Sequence, residues 1–114
     1  MSDPLRIALA DDQALVRTGL KALLGGIAGL RATLEAGDGE DLLAKLPQTP
    51  VDVILSDIRM PLCDGFQLAK RLRGKGDATP VLLMTTFDEP DLVLRAVECG
   101  AQGFLLKDAS PEDL

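Results

Sequence analysis

Short apolar runs of strand length alternate with stretches of helical period along the whole chain, and few folds accept that pattern. The runs are Leu5 to Ala10, a weaker one at Thr33 to Ala36, then Val51 to Leu55, Val81 to Met84 and Phe104 to Leu106. Their near-continuous apolar character is that of parallel strands buried on both faces. Between them Val16, Leu20, Leu23 and Leu24 recur at helical spacing, as do Gly65, Leu68, Ala69 and Leu72, and Leu92, Val93, Ala96 and Val97. Each set places one apolar stripe toward a sheet. A short helix over 40–46, ended by Pro47 and Pro50, fills the remaining gap. Glycines at 25–26, 37, 39, 74, 76 and 100 punctuate the places where helices stop or the chain turns. Strict alternation predicts an α/β, doubly wound parallel sheet with right-handed crossovers.

The 114 residues, 46% of them hydrophobic, suffice for one packed core and leave no room for a second domain, so residues 1–114 are read as one unit. Lys and Arg number 12 against 18 Asp and Glu, a net charge of -6 that repels nucleic acid and anionic lipid. The chain alone is therefore not expected to bind DNA or membranes. The start Met-Ser-Asp-Pro-Leu-Arg carries no signal segment, and a cytoplasmic location is expected. Cys63 and Cys99 lie outside any metal-ligand or CxxC spacing and read as free thiols of a reducing compartment. Histidine is absent, which removes Ser-His and Cys-His nucleophile pairs, zinc clusters of histidine and any internal phosphohistidine. Chemistry must run on carboxylates, hydroxyls and amines.

In a doubly wound sheet, ligands sit beyond the carboxyl ends of the strands, where strand order reverses. The polar residues at those ends are Asp11 and Asp12, then Asp57, then Thr85 and Thr86, then Lys107. Three carboxylates converging there repel one another unless a cation holds them ionised, and Mg²⁺, a hard ion that takes oxygen ligands, suits that role. Asp11 and Asp12 could also cap the first helix, which is compatible with a metal site. Asp57 follows Val53-Ile54-Leu55-Ser56, so an apolar strand delivers a carboxylate able to attack phosphorus. An Asp in that place could equally serve a turn. Lys107, behind Phe104-Leu105-Leu106, brings a compact positive charge to the same edge, and Thr85 brings a hydroxyl. Phosphoryl transfer needs in-line positioning and charge neutralisation above all, and these groups provide both.

These residues resemble the receiver domains of two-component response regulators across nearly the whole chain. The resemblance is carried by Ala10-Asp11-Asp12, by Ser56-Asp57-Ile58-Arg59-Met60-Pro61 with Asp64-Gly65, by Thr85-Thr86, and by 100–107, Gly-Ala-Gln-Gly-Phe-Leu-Leu-Lys. Thr85-Thr86-Phe87-Asp88 and the ending after Lys107 look most like the NarL/FixJ (LuxR-type) subgroup, whose members usually carry a C-terminal helix-turn-helix DNA-binding domain. The resemblance implies a flavodoxin-like five-stranded sheet of order 2-1-3-4-5. It implies Asp57 as the phosphoacceptor, with Asp12, Asp57 and the backbone carbonyl of Arg59 on Mg²⁺ and Asp11 assisting through water. Thr85 and Lys107 would bind phosphoryl oxygens, and Thr85 and Phe104 would form a switch pair. It implies a histidine kinase as phosphodonor, and a second copy or an output domain as the recipient of the switch. DNA would be reached only through the C-terminal domain that these residues do not contain. Such a protein is a phosphoacceptor acting on itself, not a turnover enzyme.

Two departures from the family pattern stand out. Asp108 follows Lys107 where many receivers have proline, so a trans bond is expected, and Phe104 replaces a tyrosine, so any inward rotation rests on apolar packing. Ser110-Pro111-Glu112 announces a helix start just before Leu114, so a fifth helix is expected to be largely missing. Losing ~4 buried apolar side chains removes ~6–12 kcal/mol, which implies a destabilised fragment or a partner covering the bared face. Three rival readings fit the sequence less well. An Asp-nucleophile phosphatase usually has a general-acid Asp two residues after the nucleophile, and Arg59 stands there. An FMN site would be repelled by Asp11 and Asp12. A pseudo-receiver, a protein-interaction module that keeps the fold without the switch, is the alternative, disfavoured because Asp11, Asp12, Asp57, Thr85 and Lys107 are all present.

Overall fold

The apolar runs pair side by side as parallel strands. The structure, a computed structural model, describes residues 3–85 and 91–106. In chain order the elements are β1 (Leu5–Ala10), α1 (Ala14–Gly25), β2 (Leu30–Ala36), α2 (Gly39–Lys45), β3 (Val53–Asp57), α3 (Gly65–Gly74), β4 (Val81–Thr85), α4 (Leu92–Cys99) and β5 (Gly103–Leu106). The sheet order is β2-β1-β3-β4-β5, with every neighbouring pair parallel. The expected α/β doubly wound architecture and strand order are thus observed, with four helices among the described residues. The expected start of a fifth helix at 110–112 lies outside them. No helix among the described residues is long and apolar enough to cross a membrane.

Alternation along each strand divides the core between the two faces of the sheet. On one face Ala8, Ala10, Leu34, Ile54 and Leu83 pack with Leu42 of α2 and with Phe66, Leu68 and Leu72 of α3. On the other, Ile7, Leu9, Leu55 and Met84 meet Leu24 of α1, with Leu20 and Leu82 partly buried against them. The expectation that all strands are buried on both faces needs correction at the margins. Leu5 and Leu105 are about half exposed, because the chain around them runs at a sheet end and on an edge strand.

Helix registers also sharpen. Leu23 and Leu24 are ~100° apart on a helix, and only one of them turns to the sheet here. The sheet takes Leu24, and Leu23 is 69% exposed. Likewise Ala96 of α4 is buried while Val97 points outward, whereas Gly65, Leu68, Ala69 and Leu72 of α3 are all buried as expected. The side chains of Leu92 and Val93 lie outside the described residues. β2 begins at Leu30, earlier than its sequence suggested, because Arg31 interrupts the apolar run on this edge strand. β3 begins later, at Val53. Asp52 sits just before it, accepting from the backbone N–H of Arg6 at 2.7 Å.

Candidate functional site

Strand order reverses between β1 and β3, which are neighbours in the sheet although β2 and two helices separate them in sequence. Ala10 is in register with Ser56, so the next residue on each strand, Asp11 and Asp57, emerges at the same edge. One carboxylate oxygen from each of Asp11, Asp12 and Asp57 lies within 4.8 Å of the others. Asp11 is fully buried, Asp57 half-buried and Asp12 exposed, so the cluster grades from core to solvent.

The backbone fixes these groups from several sides. The Asp11 N–H donates to the Ala36 carbonyl at 3.1 Å, tying the end of β1 to the end of β2. One Asp11 carboxylate oxygen accepts from the Gln13 N–H at 2.9 Å. The residue capping α1 is Gln13, which makes no side-chain cap hydrogen bond. The capping role considered for Asp11 and Asp12 is therefore not taken: Asp11 accepts from Gln13 itself, before the helix begins. Asp57 closes β3, and the Ser56 hydroxyl donates to its carbonyl at 2.9 Å. The Arg59 N–H leans on the Asp57 carboxylate at 3.4 Å.

The loop after Asp57 is held by α3. Asp64 caps that helix in a reciprocal box: its carboxylate accepts from the Gln67 N–H at 2.8 Å, while the Gln67 side chain accepts from the Asp64 N–H at 2.9 Å. Gly65 donates its N–H to the Ile58 carbonyl at 2.9 Å. A β-carbon there would lie 2.5 Å from the Asp57 carbonyl and 2.9 Å from a Leu83 methyl, so only glycine fits this close approach.

Of the other residues picked out in sequence, Thr85 ends β4 opposite Leu106, at the same edge, with its side chain outside the described residues. Thr86, Phe87, Lys107 and the Lys107-Asp108 bond also lie outside them. Phe104 sits on β5, partly buried against the larger core cluster and in register with Leu83. Arg59 is exposed in the loop after β3. Cys63 and Cys99 are free, as the sequence suggested; both are buried, and burial pushes the Cys63 thiol up.

Arg17 was missed. From α1 it donates to the Asp11 carbonyl and approaches Glu35 of β2. A hydrogen bond from Lys21, reinforced by the charges of Lys21 and Arg17, holds the Glu35 carboxyl below its ordinary range despite some desolvation. The only sequence signal was a basic residue six positions after Asp11. The donor set of the cluster fits a small divalent cation: three carboxylates supply hard oxygen ligands, and Asp12 is exposed to solvent.

Comparison with known proteins agrees with this geometry. Residues 7–114 match the family described as response regulator receiver domain. The chain is 43% identical over 112 residues to an uncharacterized transcriptional regulatory protein, YxjL, of Bacillus subtilis (strain 168), covering 98% of this chain and 51% of that protein. It is 41% identical over 110 residues to the transcriptional regulatory protein UhpA of Escherichia coli (strain K12), covering 96% of this chain and 55% of UhpA. The chain thus spans about half the length of these curated relatives. Among solved structures, the signal receiver domain of the putative response regulator NarL from Mycobacterium tuberculosis superposes with a TM-score of 0.89 at 37% identity, covering 98% of this chain and 90% of that one. With its family match, its relatives and its sheet order in agreement, this chain belongs to the response regulator receiver domains.

Proposed function

We propose that the chain receives a phosphoryl group on Asp57 from a partner histidine kinase and that this charge change switches an output. The observation that carries the reading is the meeting of three carboxylates from β1 and β3 at the carboxyl edge of the sheet, where strand order reverses. Asp12, Asp57 and the Arg59 carbonyl would hold Mg²⁺, with Asp11 assisting through water. Bound there, the ion neutralises charge on the phosphoryl oxygens and on the acidic cluster.

An oxygen of Asp57 attacks phosphorus as the bond to the donor imidazole nitrogen breaks, and the imidazole leaves as the neutral base after taking up a proton. Lys107 and Thr85 bind the phosphoryl oxygens, a role that depends on charge for the one and a hydroxyl donor for the other. Phosphorylation replaces the single charge of the Asp57 carboxylate with a phosphate of about -1.5 to -2 and adds acceptor oxygens. Thr85 moves toward them, Phe104 follows by apolar packing, and the surface of α4 and β5 changes shape. That surface contacts a second copy or an output domain, and DNA is reached only through a helix-turn-helix domain that these residues do not contain. The acyl phosphate forms and hydrolyses on the chain itself, so this is a switch and not a turnover enzyme, working in the cytoplasm alongside its kinase.

The test uses a small phosphoramidate donor with Mg²⁺, followed by hydroxylamine, which converts an acyl phosphate to a hydroxamate. Peptide mapping is expected to place the hydroxamate at Asp57. A hydroxamate at another carboxylate, or none, would overturn the assignment.

A further inference from the structure

Arg17 lies on the second turn of α1 and reaches back to the acidic pair. Its Nη1 donates to the Asp11 carbonyl at 2.5 Å, and its Nε lies 3.5 Å from Oε1 of Glu35. Lys21, one turn further on, takes the other oxygen of Glu35 at 2.8 Å. The Arg17 side chain is 21% exposed and that of Lys21 49%, so Arg17 is the inward member of the pair.

The loop needs such a restraint. α1 has neither a side-chain N-cap bond nor an acidic residue in its first turn. The Asp11 N–H and carboxylate are held by Ala36 and Gln13, and the second contact spans Asp12, while the Asp11 carbonyl is gripped by Arg17. The Asp11 carbonyl shares one planar peptide unit with the nitrogen of Asp12, so a donor gripping that oxygen sets the plane from which the Asp12 side chain departs. Asp12 is the exposed member of the cluster and has the most freedom to lose.

We propose that Arg17 is a positioning residue for the divalent-cation site, aiming the Asp12 carboxylate by holding the Asp11–Asp12 peptide plane. This rests on the reading of Asp11, Asp12 and Asp57 as a Mg²⁺ site. Charge alone argues the other way. A guanidinium beside a cation site repels the cation, so deleting it on Coulombic grounds tightens Mg²⁺ binding. The positioning role gives the opposite sign, because groups that orient metal ligands typically contribute about 10- to 100-fold in metal affinity.

Lys21 supplies the matched control, since it bears the same charge and the same Glu35 partner without touching the Asp11 carbonyl. Mg²⁺ titrations followed by amide chemical shifts would compare the wild-type chain with Arg17→Met and Lys21→Met. Arg17→Met is expected to weaken Mg²⁺ by about tenfold, while Lys21→Met binds as the wild type or more tightly. Coincident affinities for the two variants would overturn the positioning role. Should Arg17→Met fail to fold, Arg17→Lys keeps the charge and loses the planar guanidinium that donates to the Asp11 carbonyl. It is expected to weaken Mg²⁺, and unchanged or tighter binding by it would overturn the role. A wild-type chain that takes up no Mg²⁺ would sink the cation site itself, a result separate from any difference between variants.

Discussion

Asp77 shows how one carboxylate fixes a junction. It accepts from the Thr79 N–H at 2.9 Å and from the Thr79 hydroxyl at 2.6 Å, closing the turn between α3 and β4. The Thr79 hydroxyl, then its N–H, holds the Asp77 carboxyl below the usual range. A lowered folded-state pKa means that this contribution to stability is fully present above the unfolded value, about 3.9, and is lost as pH falls through the folded one. Asp77→Asn keeps an acceptor oxygen but cannot titrate. Its denaturant midpoint is expected to fall less steeply than that of the wild type below about pH 4, as read by circular dichroism across an acid series. Residue-scale legibility was uneven for a physical reason. Asp11, Asp12 and Asp57 could be placed from sequence because they stand within two residues of the end of an apolar run, which fixes the sheet edge where they emerge. Arg17 could not, since a single arginine on a helix reads as a solvated face, and its partner is a backbone carbonyl that only the folded loop presents.

At the scale of elements, the helices differ in how their first turns are secured. α3 carries the full capping box of Asp64 and Gln67, and α2 is capped by Asp38, which accepts from the Asp41 N–H at 2.8 Å. α1 has no such cap and leans on Arg17 and the sheet. Asp64→Ala removes an N-cap and is expected to cost about 1 kcal/mol in urea unfolding. The same change should slow phosphorylation at Asp57 only modestly, because Gly65 still anchors the loop through Ile58. Element existence and order were readable from the alternation of periods, yet helix rotation was not. Leu23 and Leu24 offer equivalent apolar side chains, and only the packing against Leu9 and Leu55 decides that Leu24 turns inward. The capping box is spelled in the sequence as Asp64-x-x-Gln67, but Asp64-Gly65 taken alone is equally a turn dipeptide.

At the scale of the whole molecule, the two faces of the sheet are unequal among the described residues. The face that packs α2, α3 and α4 holds most of the buried side chains, including Leu42, Ile54, Leu68 and Leu83 at 0% exposure. The face that packs α1 holds a smaller cluster, with Leu23 and Leu105 open to solvent. Leu68→Ala should therefore cost roughly 2–5 kcal/mol, while Leu23→Ala should stay within about 0.5 kcal/mol of the wild type, both read by urea unfolding. The sheet order was legible only through the family resemblance. Which face carries the deeper core did not, because parallel strands present similar apolar residues to both sides.

The measurement that bears most directly on Asp57 as phosphoacceptor is intact mass after incubation with acetyl phosphate, with and without Mg²⁺, for the wild type and Asp57→Ala. The expected result is one added phosphoryl group on the wild-type chain, only when Mg²⁺ is present, and none on the variant. A folded, Mg²⁺-loaded wild type that gains no mass, or a variant that gains it equally well, would contradict that assignment.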